Sequence, residues 1–229
     1  MNYSSKKPLN MDEKLSPEQR LWKYMSFTKF MSLLETRSLF FCKADKFEDV
    51  FEGKIPTRFF YGWAKDYEEL FKEIHEKLKE RVFINCWSLN DEESYAMWKI
   101  YASKNDGVCV QTTIDRLQRA FINPNEKPRI VKVRYIDYKK DRINLEKFNT
   151  YEFYAYKSKV YEYEKEVRAI LLSDGSTECM NLFVDLEILI DNIYIHPAAS
   201  EWFVILINKI LNTYNINKEV LHSSIKIQK

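Results

Sequence analysis

The sequence predicts an α+β fold: one domain over residues 18–229, with a mixed, mostly antiparallel sheet and interspersed helices, behind a flexible N-terminal arm at 1–17. Three observations carry this reading. Strand-like runs and runs of helical period alternate irregularly, without the regular strand–helix–strand repetition of a parallel sheet. No Pro-, Gly- or Ser-rich linker divides the 229 residues. Apolar residues make up 45% and aromatics 15% of the chain, enough to bury one large core.

The elements follow in order. Leu21–Tyr24 is strand-like, and Ser26 can cap a helix over about 27–36 whose Phe27, Phe30, Met31 and Leu34 share one face. Leu39–Cys42 reads as a buried strand, followed by an acidic loop. From Thr57 to Arg81, Phe60, Trp63, Tyr67, Leu70, Phe71, Ile74 and Leu78 recur at helical period and predict a long amphipathic helix. Val82–Leu89 is a strand, Ser94–Tyr101 a helix, Val108–Thr112 a strand, and Thr113 the cap of a short helix. Alternation of Val131, Val133 and Tyr135 with charged residues predicts a half-buried strand over 129–138, and a helix is expected near 144–159. Strands at 166–172 and 181–185 flank the turn Ser173–Ser176. A strand at 192–195, an apolar helix at 200–212 and a short strand near 219–222 complete the chain.

Several function classes are disfavoured by composition. With 36 basic and 34 acidic side chains there is no bulk field to recruit nucleic acid or acidic lipid. The four glycines, Gly53, Gly62, Gly107 and Gly175, are isolated, so no glycine-rich turn cradles a pyrophosphate. His75, His196 and His222 stand far apart and no cysteines have zinc-site spacing, so no metal is expected. The four cysteines, Cys42, Cys86, Cys109 and Cys179, read as buried thiols of a cytoplasmic protein. No run approaches the roughly 20 apolar residues of a membrane span, so no membrane partner is expected.

Three clusters could carry chemistry. In Glu162–Arg168, extended backbone would put Glu164, Glu166 and Arg168 on one face, where paired carboxylates raise one another's pKa and a guanidinium holds one ionised. The competing reading is a charged edge that deters strand pairing. Trp87 and Ser88, with Trp98 and Tyr101 one helical turn apart, could stack on a base or nicotinamide, or could simply be core. Asp45, Asp49, Glu52 and Lys54 could serve a metal-dependent nuclease, or be an ordinary acidic loop.

Taken together, Trp22-Lys23-Tyr24 with Ser26-Phe27, Phe47-Glu48-Asp49 with Phe51-Glu52, Cys86-Trp87-Ser88, Met97-Trp98 with Tyr101, Gly107-Val108 and Tyr163–Arg168 resemble the bacterial domain-of-unknown-function family twenty-nine seventy-one. His196 departs from the pattern, which has glycine there. The resemblance implies an accessory protein of bacterial defence or toxin loci. A more distant resemblance is to ADP-ribosyltransferases, through the order Lys23, Ser88, Glu164-x-Glu166. It implies NAD as cofactor, with Glu166 stabilising the oxocarbenium ion, Glu164 activating the acceptor and Ser88 positioning Glu166. Lys23 would complete the catalytic set, and Tyr24, Trp87, Trp98, Tyr101 and Arg168 would bind the cofactor. The partners implied are a small nucleotide and a protein or nucleic-acid acceptor. The alternatives are a non-enzymatic sensor or binding module with an operon partner, and the nuclease.

Overall fold

A computed structural model describes residues 15–227 except 48, 50–52, 55–56, 61–63, 103–104 and 142–149. The chain enters through strand β1 (Arg20–Met25) and turns at Ser26, whose hydroxyl accepts from Lys29 N and caps helix α1 (Phe27–Thr36). Arg37, at φ 47°, ends that helix in the left-handed region and starts β2 (Ser38–Lys43). Helix α2 (Lys65–Lys79) follows a 3-10 turn at Thr57–Phe60, so the long apolar period resolves into two elements. Its face is only partly used: Phe71 and Leu78 pack on core, whereas Tyr67, Leu70 and Ile74 are exposed.

Strand β3 (Val82–Leu89), helix α3 (Tyr95–Tyr101), strand β4 (Val108–Thr113) and helix α4 (Ile114–Ala120) come next. The expected strand at 129–138 divides into β5 (Arg129–Lys132) and β6 (Arg134–Ile136). The cause is a change of partner: Val133 N still donates to Glu166 O, but Arg134 N donates to Ala155 O. Of the helix expected at 144–159, residues 142–149 lie outside the described residues, and one turn, α5 (Thr150–Phe153), is present. Tyr156–Ser158 is instead strand β7, parallel to β6, because Tyr156 enters an aromatic cluster while Lys157 faces the functional cavity. The remaining elements are β8 (Glu166–Leu172), β9 (Cys179–Phe183), α6 (Leu186–Leu189), β10 (Asn192–Ile195), α7 (Glu201–Thr213) and β11 (Val220–His222). Residues 15–17 are tied in: Leu15 packs on the core and Pro17 O accepts from Asp115 N.

Nine of the described strands form one open, mostly antiparallel sheet, in the order β11-β10-β4-β1-β3-β2-β9, with β8 and then β5 branching from β3. The fold is therefore α+β, as the sequence predicts. Alternation along β8 sends Val167 and Ala169 into the main core under α1, α4 and α7, and Ile170 into a second cluster with Phe59, Phe60 and Tyr154. Along β1, Trp22 and Tyr24 point the other way from Leu21 and Met25 and join Met97, Trp98 and Cys109. None of the described helices is long and apolar enough to cross a membrane. Only Cys109 is fully buried; Cys42 and Cys86 are half-buried and Cys179 is exposed, so the expectation of four buried thiols is corrected.

The branching of β3 creates the site. One edge pairs along its length with β8, from Val82↔Leu172 to Ser88↔Glu166. The other edge is shared: β2 pairs at Phe83 and Ile84, and β1 at Ser88 and Leu89. Asn85–Trp87 therefore face a fork between two diverging strands.

Candidate functional site

A cavity of about 700 Å³ opens at this fork. It is lined by Lys23, Tyr24, Trp87, Ser88, Tyr101, Glu164 and Glu166, so seven of the nine residues singled out from sequence converge on one space. They arrive from β1, β3, α3 and, around 164–166, the 3-10 turn before β8 and the start of that strand, segments far apart in the chain.

Two of the nine have other places. Trp98 is fully buried outside the cavity lining, edge-on to Tyr24 at 5.0 Å and to His196 at 5.3 Å, with its indole N–H on Glu93 at 3.0 Å. It backs Tyr24 and does not present a face to a ligand. Arg168 is fully buried too, so the cofactor role inferred for it is corrected. Its Nε and Nη2 donate to Glu166 Oε2 at 2.9 and 2.6 Å, and its Nη1 donates to Tyr154 O at 2.7 Å.

The carboxylates do not lie along one extended strand. Glu164 ends a 3-10 turn (Lys159–Glu164), and Lys165 then adopts φ 45°, ψ 51° before β8 begins at Glu166. That left-handed residue swings Glu164 around, so that it and Glu166 meet at Lys157. Lys157 Nζ donates to Glu164 Oε2 at 2.5 Å and to Glu166 Oε1 at 3.2 Å. All of these side chains are buried, so their charges need one another. Tyr101 completes the set by donating its hydroxyl to Glu164 Oε1 at 3.0 Å.

The two carboxyls differ in proton affinity. Burial pushes Glu166 up, but the charges of Arg168 and Lys157 outweigh it and hold the group at about 2. Burial raises Glu164 as well; Lys157 pulls it part of the way back, the Glu166 charge opposes that, and the result stays above the ordinary carboxylate value. The pair thus joins a firmly ionised carboxylate to one closer to neutrality.

Ser88 lies opposite Glu166 in the β3–β8 ladder, but its hydroxyl donates to the backbone carbonyl of Glu164 at 2.8 Å. The expectation that Ser88 positions the Glu166 side chain is corrected: it fixes the turn that carries Glu164. Across the fork, Lys23 Nζ donates to Cys86 O at 2.8 Å and Asn85 Oδ1 at 3.3 Å, and sits 5.2 Å from the Trp87 ring centroid. Desolvation lowers its ammonium to about 8. The Nε1–H of buried Trp87 has no hydrogen-bond acceptor among the described residues. Lys29, Phe40, Phe47 and Tyr161 extend the walls.

Of the acidic-loop residues, Asp49 lines the cavity, Asp45 and Lys54 are exposed, and Glu52 lies outside the described residues. Among the described residues, no group of three or more His, Cys, Asp or Glu is placed to hold a metal ion. Sequence reasoning missed Lys157 and Asn85. Lys157 follows directly on the aromatic-dense stretch Phe153–Tyr156, which was the available signal. Asn85 interrupts an apolar strand: its amide donates to Phe40 O at 2.7 Å, tying β2 to the fork.

Fold and site define an open-sheet α+β protein with a buried Glu–Lys–Glu–Arg cluster beside an aromatic-walled cavity. Residues 97–169 match the model of a family described as Protein of unknown function (DUF2971), which over that stretch bears out the resemblance to the domain-of-unknown-function family. The matched stretch contains Tyr101, Lys157, Glu164, Glu166 and Arg168; Lys23, Trp87 and Ser88 lie before it. No curated protein and no solved structure matches the chain.

Proposed function

We propose that the cavity at the fork is the active site of an NAD-using ADP-ribosyl transfer enzyme, acting in a bacterial defence or toxin setting. The observation that carries this reading is the convergence of Lys23, Ser88, Glu164 and Glu166, drawn from three separate segments, on one cavity. NAD would supply an activated N-glycosidic bond whose ribosyl carbon gains positive charge as nicotinamide leaves. Glu166, kept ionised, provides a fixed negative charge for that carbon, and Arg168 and Lys157 prevent it from swinging away. Glu164, with its raised proton affinity, is the better base for an acceptor nucleophile. Lys23 offers a cation to a pyrophosphate. The Trp87 N–H, which has no acceptor among the described residues, suits the dinucleotide, because a bound polar group would satisfy a buried donor that is costly to leave unmet. Glu166 also borders a second cavity of about 530 Å³ with Arg20, Lys132, Arg134 and Lys165, a route by which an acceptor could approach from another side.

Ligand linkage separates this reading from its rivals. A ligand that binds only the native state at a hundredfold excess over Kd stabilises it by about 2.7 kcal/mol. Millimolar NAD without metal should raise the melting temperature, and nicotinamide release should be detectable by chromatography. Glu166→Gln should keep most of the NAD shift measured from its own baseline while losing nicotinamide release. A flat NAD titration beside a manganese shift that Asp49→Asn abolishes would favour the nuclease. No response to either would favour a binding module.

A further inference from the structure

Cys42 and Cys179 stand directly opposite one another in the antiparallel β2–β9 pair. Opposed residues in such a ladder have Cα atoms about 4.5–5.5 Å apart and side chains on the same face. A disulfide needs Cα atoms about 4.4–6.8 Å apart, so the backbone already satisfies the bridge. Both thiols are free, Cys179 is exposed and Cys42 is half-buried. Neither remaining cysteine has a cysteine opposite it: Cys86 faces Arg168, and Cys109 faces Tyr24 and Tyr194.

We propose that Cys42 and Cys179 form a cross-strand dithiol site, open to two-electron thiol oxidants of the peroxide class, whose disulfide pins strand β9 to the cavity wall. β9 ends the sheet order, and β2 is its only neighbour in that order among the described strands. Two residues along the same ladder, the opposed pair Phe40 and Asn181 lines the cavity, so the bond would form in the strands that build its wall. The step balances. The Cys179 thiolate attacks one oxygen of hydrogen peroxide, the O–O bond breaks, hydroxide leaves and takes up the proton that the thiol released, and a sulfenic acid and water remain. The Cys42 thiolate then displaces the sulfenic oxygen as hydroxide, which takes up the proton released by the Cys42 thiol to give a second water, and the S–S bond forms. Two sulfurs together lose two electrons to one peroxide. Directly opposed strands hold such a bond under strain, which keeps it reducible by thiols.

The test uses the full chain, treated with one equivalent of hydrogen peroxide, alkylated and mapped by mass spectrometry. The expected product is an intramolecular Cys42–Cys179 crosslink that persists in a Cys86→Ser/Cys109→Ser variant, is absent from Cys42→Ser and Cys179→Ser, and reverts with reduced glutathione. Amide exchange in β9 should slow by about tenfold in the crosslinked form. A crosslink through Cys86, a disulfide between two chains through Cys179, or β9 exchange unchanged by the crosslink would overturn the proposal. None of these readouts depends on the enzymatic reading.

Discussion

Replacing Lys157 with methionine keeps most of the side-chain volume and removes the charge that joins Glu164 to Glu166. Breaking a buried ion pair from one side costs about 3–5 kcal/mol, because it strands a charge. Here the stranded charge is identifiable. Glu166 keeps two bonds from Arg168, at 2.9 and 2.6 Å, whereas Glu164 is left with the Tyr101 hydroxyl and the Glu166 carboxyl beside it, to which a protonated Glu164 can donate. Glu164 can escape by taking a proton, and this sets the magnitude. Protonating a carboxyl whose ordinary value is 4.5 costs about 1.4 kcal/mol for each pH unit above that value, hence about 4 kcal/mol near pH ~7.5 and about 1.4 near pH ~5.5. The sign follows from linkage: in the variant the folded state holds a proton the unfolded state has lost, so the variant gains stability as pH falls. Urea denaturation of Lys157→Met at both pH values should give that difference, and adding Glu164→Gln should recover most of the loss at the higher pH. A loss independent of pH, or no rescue by Glu164→Gln, would show that Lys157 acts through packing of its stem and would refute the charge argument.

Three further outcomes follow from the same geometry. Glu166, held at about 2 against an ordinary 4.5, contributes about 3 kcal/mol that is present above pH ~4.5 and lost as pH falls through about 2; Glu166→Gln should flatten this acid limb in urea titrations. Trp87→Phe removes a buried donor that has no acceptor among the described residues, so stability should hold or rise slightly, while calorimetric affinity for NAD should fall by about three- to tenfold. Because the Lys23 ammonium is held at about 8, it is charged below that pH and neutral above it; binding of a phosphate-bearing ligand should weaken as pH rises through 8, and Lys23→Met should abolish that dependence.

What was legible in the sequence is what local chemistry determines. Ser26 and the spacing of Phe27, Phe30, Met31 and Leu34 gave α1 its boundaries, since a cap and a period are properties of neighbouring residues. The convergence of Lys23, Ser88 and Glu166 was also anticipated, because polar groups interrupting apolar runs need a shared polar space. Two features were out of reach. The left-handed Lys165 carries no sequence mark, as glycine or asparagine would be the usual residue there, and without it Glu164 cannot be placed. Strand β7 was hidden because Phe153–Tyr156 suits helix and strand alike, and only its long-range pairing with β6 decides. Lys157 was lost with it.

The fork in β3 has a consequence for how the cavity wall is held. In an unbroken sheet, the carbonyls of a central strand accept from main-chain amides, and no side-chain change can release them. Here Cys86 O accepts from the Lys23 ammonium and Phe40 O from the Asn85 amide, so the seam between β1 and β2 is closed by two side chains. A bound molecule carrying its own donor could exchange with Lys23 at that carbonyl and free the ammonium to turn toward an anion. The backbone of this wall is thus an acceptor surface whose occupancy depends on which donor is present, and whose opening one residue can tune without altering the topology of the sheet.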